Sequence, residues 1–484
     1  MHRPPNKKAM RYRLTALYII TPILILLVSA LLMLHILGYR FNLNDREITQ
    51  GGLLQLDSRP AGATVTVDSK KIDGRTPNRT DLSSGLHTVM MQLDGYRPWQ
   101  KTVNIDPGRI LWLNYARLFP KELQVAELNE FPLTAASLAA RNGKVIAVMP
   151  RPDQARITLL KIQGDTVKPT ELDLPEDLYA DKAKSSFQMV AWSEDGRYIL
   201  MKHRYTNGSE WLSIDTEAID QSVNATNIAG QAISQVDFMA KNPRQLYVLA
   251  NQSVRIIDTR SMTISAPIIN GVSEFSQSSQ GILAYTSVRD AKTNQRTVGY
   301  YTKGAAKPYP IRTVYDDGSK VLRIRIGEYV RKQYIALQYG STVEVNLVAL
   351  GTSDSTQALT QSSLVTIAVP DTTSTVSFSP ANRFVLMVHQ GGFMTYDLEL
   401  GALASTPLRG LDKTYQLDWL DGAMLWSDRG GEIVTYEFDG NNIQEITPVA
   451  TGQAVVLSNN QKSLYGFRQV DGVLRLVQVS LIAS

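Results

Sequence analysis

Met189-Val190-Ala191-Trp192-Ser193-Glu194-Asp195-Gly196-Arg197-Tyr198-Ile199-Leu200-Met201 is followed by Trp211-Leu212-Ser213-Ile214-Asp215. An apolar strand ends in a polar turn on Asp195-Gly196, a second apolar strand follows, and the later run supplies a third. The unit returns as Val376-Ser377-Phe378-Ser379-Pro380-Ala381-Asn382-Arg383-Phe384-Val385-Leu386 with Met394-Thr395-Tyr396-Asp397. It returns again as Leu417-Asp418-Trp419-Leu420-Asp421-Gly422 with Val434-Thr435-Tyr436. Weaker copies centre on Leu138, Phe238, Phe275, Ile324 and Leu457. The anchors recur at roughly 45 residues, the period of a four-stranded propeller blade. Residues 107–484 are therefore expected to form a β-propeller of eight blades, or seven if one weak copy is a linker. Two β-sandwiches of ordinary size are the rival arrangement, which the even spacing disfavours. Ring closure is expected from residues 110–118 or 473–481, because closure removes exposed sheet edges.

Trp192-Ser193-Glu194-Asp195-Gly196 and Phe378-Ser379-Pro380-Ala381-Asn382 resemble the WD-repeat-like and TolB-type propeller repeats, whose hallmark is aromatic-Ser-Pro-Asp-Gly. The first departs only at the proline position, and the second keeps the proline.

Residues 51–106 have a different grain. Leu54, Leu56 and then Thr64 to Val67 alternate around a Pro60-Ala61-Gly62 turn, and Leu86 to Leu93 alternate again. Pro60, Gly62, Ala63, Thr76, Pro77, Gly85, His87, Gly95 and Tyr96 together resemble the PEGA domain, with Ala61 in place of its usual acidic residue. The resemblance implies a small β-sandwich of surface and envelope proteins, with an interaction role and no chemistry of its own. The motif residues are then structural.

Ahead of this domain runs Leu14 to Tyr39, LTALYIITPILILLVSALLMLHILGY, without a charge. About 20 apolar residues cross a bilayer, so residues 14–39 are expected to form one transmembrane helix. The tail, 1–13, carries Arg3, Lys7, Lys8, Arg11 and Arg13 and no acid. Residues 40–50 are a short mixed-charge spacer. The charge bias puts the N-terminus in the cytoplasm and the later domains outside the cell membrane, on a single pass. A cleaved signal peptide is the rival, but its apolar core should be shorter, roughly 7–15 residues.

The chain holds 50 Lys+Arg and 45 Asp+Glu, a formal charge of +5. The five tail cations account for that excess. The remainder is neutral, which argues against a nucleic-acid partner. With no cysteine, disulfide scaffolds, thiolate metal sites and cysteine nucleophiles are excluded. The five histidines are His2, His35, His87, His203 and His389. Only the last two fall in the propeller, each after a blade strand, where a hydrogen-bonded histidine at a strand end is the plain reading. There is no His-Glu-x-x-His, Gly-x-Ser-x-Gly or phosphate-binding loop. No metal, cofactor or catalytic residue is therefore expected.

Tyr96, Trp99, Trp112 and Tyr115 cluster where the PEGA-like segment meets the expected propeller, and Trp99, Trp112 and Tyr115 are the candidate binding residues. An aromatic sugar platform and plain packing both explain them. The expected function is a membrane-anchored binding or scaffold protein of the bacterial cell envelope, with a protein or cell-wall polysaccharide partner. The alternatives are an exported propeller hydrolase, or a sensor subunit that needs a cytoplasmic partner.

Overall fold

The computed structural model describes residues 7–36, 39–42, 47–180, 185–348, 361–408 and 415–483. The start of the basic tail (1–6), the end of the expected span (37–38) and the middle of the spacer (43–46) lie outside the described residues. The chain divides into two compact units, 1–122 with 482–484, and 123–481.

The first unit opens on one helix, Lys7–Ile36, with Pro22 inside it. It starts in the basic tail, earlier than the expected 14. Thr15 to Ala30 are all exposed, with Leu17 at 64% and Tyr18 at 75%. Among the described residues no helix is long and apolar enough to cross a membrane.

Tyr39–Asn42 pairs with Glu47–Gln50, and two larger sheets follow in this unit. One pairs Asn78–Leu82, Gly52–Arg59 and Ile110–Arg117; the other pairs Lys70–Arg75, Thr64–Val67, Gly85–Gln92 and Trp99–Ile105. Leu54, Leu56, Val65, Val67, Val89, Met91, Trp99 and Leu113 fill one core. Alternation puts these residues inward and leaves polar neighbours outside. The turn at Pro60 to Ala63 is held from across the domain. Thr76 Oγ1 accepts the N–H groups of Gly62 at 3.1 Å and Ala63 at 2.9 Å, and lies 2.5 Å from Ser58 Oγ. Gly62 sits at φ +93°, where a side chain would be strained.

Ile110–Arg117 runs parallel to Gly52–Arg59. This strand therefore belongs with the small domain, where the sequence reading had put 107–118 with the propeller. The last residues also rejoin this unit: Ala483 N–H donates to Tyr96 OH at 2.9 Å.

Among the described residues, the second unit carries eight successive sheets. Seven run through 136–173, 186–224, 233–270, 272–315, 322–368, 375–407 and 417–448, each with its strands in chain order. The eighth consists of Val456–Leu457, Ser463–Val470 and Val473–Ser480, completed on its outer side by Val125–Pro132. Leu138, Trp192, Phe238, Phe275, Ile324, Phe378, Trp419 and Leu457 each lie on the first strand of their sheet. First strands touch between the first and second, fourth and fifth, and fifth and sixth sheets, and fourth strands such as Thr166–Asp173 lie exposed.

Apolar layers fill the spaces between successive sheets. Met149, Leu159, Met201 and Leu212 pack the first on the second. Leu200, Val248 and Ile257 pack the second on the third. Phe384 stacks on Phe438 at 4.1 Å between the sixth and seventh. Ile146, Leu160, Tyr465 and Phe467 pack the eighth on the first, which makes a propeller-like ring. Closure thus uses neither expected strand alone. Val473–Ser480 is the third strand of its sheet, and Val125–Pro132 covers it. Arg475 pairs with Glu127 at 2.6 Å and Glu130 at 2.9 Å across that seam.

The repeat has a physical basis in its turn. Ser193 Oγ donates to Asp195 Oδ1 at 2.5 Å and accepts Tyr198 N–H at 2.8 Å. Ser379 with Phe384, and Ser458 with Ser463, repeat the second bond at 3.2 and 3.0 Å. Arg197 then forks onto Asp215 at 2.9 and 2.7 Å, and Arg383 onto Asp397 at 3.1 and 2.7 Å. A fork of this kind ties the second strand's start to the third strand's end.

Candidate functional site

The three aromatic candidates do not share a face. Trp99 is a core side chain, 2% exposed, with its ring edge-on to Tyr115 at 6.4 Å. Tyr115 is half-buried and carries Lys101 Nζ at 4.9 Å over its ring. Trp112 alone turns outward, 41% exposed, on the same strand as exposed Ile110. Gln55 lies opposite Trp112 in register, and Arg79 opposite Gln55. Strand alternation separates Trp112 from Leu113, which is fully buried.

The motif residues hold the small domain together. His87 Nδ1 lies 2.5 Å from Asp68 and its Nε2 lies 2.8 Å from the Ser83 carbonyl. Tyr96 is buried, and Gly85 and Gly95 have φ of +121° and +81°.

His203 and His389 sit on the second strands of different sheets, the second and the sixth. His389 is half-buried, its Nδ1 accepts Gly391 N–H at 3.1 Å, and burial lowers its pKa. His203 is fully buried. Its strand faces Ser186–Trp192 on one side and Gly208–Asp215 on the other, with Phe187, His203 and Glu210 in register. Nδ1 lies 2.8 Å from Glu210 Oε1, and Nε2 lies 3.0 Å from Ser185 Oγ. Phe187 stacks on the imidazole at 4.4 Å, and Tyr179 meets it edge-on at 5.3 Å.

Glu210, also buried, is held by two N–H groups. Ala180 N–H donates to Oε1 at 2.7 Å, and Asn224 Nδ2 donates to Oε2 at 2.7 Å. Asn224 is itself fixed as the N-cap of the short helix Ala225–Ala229, its Oδ1 accepting Asn227 N–H at 3.0 Å. The sequence reading missed Ser185, Glu210 and Asn224. Only the register of the hairpin closed by Tyr205 and Gly208 brings Glu210 opposite His203.

A second polar group lines the first strands of sheets three to five. Gln235 bridges to the Phe275 carbonyl at 2.8 Å, and Arg325 pairs with Glu274 at 2.5 Å. Burial pushes the Asp237 carboxyl up to about 6, with a Gln277 contact opposing it. That value lets Asp237 take up a proton near neutral pH. Among the described residues, no group of three or more His, Cys, Asp or Glu could hold a metal ion.

Residues 52–118 match the PEGA domain. No curated protein matches the chain in sequence. Among solved structures, an oligogalacturonate lyase in complex with manganese is 10% identical and has a TM-score of 0.41, covering 74% of this chain and 98% of its own. Apo AztD from Citrobacter koseri is 12% identical with a TM-score of 0.42, over 82% and 98%. The β-propeller domain of Cps50 (Swd1) from Myceliophteria thermophila is 10% identical with a TM-score of 0.40, over 73% and 99%.

Proposed function

We propose that this PEGA-domain chain is a membrane-tethered binding or scaffold protein of the bacterial cell envelope, with an eight-bladed propeller outside the cell. The observation that carries the reading is the N-terminal helix. Every described side chain from Thr15 to Ala30 is uncharged and exposed, which water disfavours and lipid accepts. The cations of the tail hold the N-terminus in the cytoplasm, and residues from 40 onward lie outside as a single-pass protein. The partner is a protein or a cell-wall polysaccharide. Exposed Trp112 and Ile110, with Arg79 across the sheet, give an apolar patch beside a cation, the composition of an interaction centre.

Two measurements on the full-length chain in intact cells test this. Protease added to wall-stripped cells should remove the chain beyond residue 40; full protection of the C-terminus would reject the tether. A photo-crosslinker placed at Asn114, which is exposed next to Trp112 on the same strand, should capture one recurrent partner. Trp112→Ala should then cut capture by about 30-fold, the loss of a hot-spot side chain of roughly 2 kcal/mol. Undiminished capture in that variant would remove Trp112 from the interface.

A further inference from the structure

We propose that Ser185 is an activated nucleophile, with His203 its general base and Glu210 the group that orients the base, acting on carboxylic esters. The capability is separate from the tether and the partner, and each stands or falls on its own test. The argument begins at Glu210. Both its oxygens accept N–H groups, from Ala180 and Asn224, so it faces the ring as a hydrogen-bond acceptor. Nδ1 of His203 therefore carries a proton and donates at 2.8 Å. In the neutral ring, Nε2 is then the acceptor, and the group it faces is the Ser185 hydroxyl at 3.0 Å. A nucleophile, a base and an orienting carboxylate stand in sequence, as the Ser-His-acid logic requires.

Burial adds to the geometry. His203 is 0% exposed, and Phe187 and Tyr179 fix its ring plane, while Ser185 is half-buried. The base is dry, and the serine is only partly covered. Attack would form a bond from Ser185 Oγ to the carbonyl carbon as its proton passes to Nε2. Breaking the ester C–O bond returns that proton to the departing alcohol. Water then gives its proton to Nε2 and its oxygen to the acyl carbon, and Nε2 returns the proton to Ser185 as the acid leaves. Esters are the fitting class, because their carbonyl is more electrophilic than an amide's and an alkoxide departs more readily than an amide nitrogen.

The test uses the full chain in detergent micelles, a fluorophosphonate probe and p-nitrophenyl butyrate. Mass spectrometry should place the label on Ser185 in the native chain, with none on heat-unfolded protein. Ser185→Ala should keep the melting temperature and lose label and hydrolysis at least ten-fold. Glu210→Gln should lower labelling while leaving the serine in place, provided it still folds. A folded native chain that takes no label at Ser185, or hydrolysis unchanged in Ser185→Ala, overturns the assignment and leaves the cluster a purely structural bond network.

Discussion

His87 in the small domain and His203 in the ring both put Nδ1 on a carboxylate, and they differ in what Nε2 meets. His87 Nε2 meets its near neighbour Ser83 twice, the carbonyl at 2.8 Å and the hydroxyl at 3.3 Å. His203 Nε2 meets the hydroxyl of Ser185, 18 residues away, at 3.0 Å. Exposure separates them too. The His87–Asp68 side chains are 12% and 49% exposed, and the His203–Glu210 side chains 0% and 3%. Water competes with the first pair and not with the second. The same two residue types thus make a surface clasp in one unit and a dry base in the other.

The largest effect expected is at Glu210. Glu210→Ala takes the acceptor from His203 and the Ala180 N–H, and leaves the Asn224 amide only the Leu178 carbonyl. It should cost about 3–5 kcal/mol in urea unfolding of the full chain. A loss below about 1 kcal/mol would put this pair in the surface class and break the contrast.

Core truncations come next and sharpen the division into two units. Leu200→Ala in the ring and Leu56→Ala in the small domain each remove a buried side chain, at about 2–5 kcal/mol. Calorimetry should show each variant lowering one transition and sparing the other. One shared transition, shifted alike by both, would mean the units fold as one.

Acid should loosen the ring's repeated braces. Burial would raise the Asp215 carboxyl, but the Arg197 guanidinium and the N–H groups of Glu217 and Ala218 outweigh it, so its pKa falls below the ordinary aspartate value of 3.8. Gln245 and the N–H of Ser261 lower Asp258 in the same direction. A carboxylate depressed by folding adds stability above its unfolded pKa, and that stability is lost as pH falls through the folded value. The urea midpoint should therefore drop as pH falls below about 4, a limb separate from the Asp237 and His389 titrations nearer neutral pH. Asp215→Asn should shrink that drop; an unchanged acid limb would show that the brace does not carry it.

The smallest effect is the surface clasp. Thr88 N–H, then the His87 ring, lower the Asp68 pKa, but the carboxylate is half-exposed. Asp68→Asn should cost less than about 1 kcal/mol, and about 1 M salt should shrink the difference further. A cost equal to that at Glu210 would erase the comparison.

Much of this was legible in the sequence. All the repeat anchors lie on first strands; after Trp192, Phe378 and Leu457 a Ser-centred turn supplies a local signal. What the sequence hid is decided by pairing at a distance. Ile110–Arg117 joins the small domain by a parallel pairing with Gly52–Arg59, and nothing in its own alternation names its partner. Val125–Pro132 is almost wholly exposed, so it lacks the apolar period that marks a strand. Trp99 and Trp112 look alike in the sequence, yet register buries one and exposes the other. Ser185 stands 18 residues from His203, a spacing that means nothing until the hairpin is drawn.

The seam between Val125–Pro132 and Val473–Ser480 also sets a timetable. Glu127 and Arg475 are 348 residues apart, so bringing them together carries a chain-closure term of about 5 kcal/mol. At roughly 5–20 residues per second of synthesis, the early strand waits on the order of 20–70 seconds for its partner to be made. During that wait its unpaired edge could recruit another chain, and Glu127 and Glu130 are charges of the kind that discourage such pairing. The residues that later lock the ring thus guard it while it is still open.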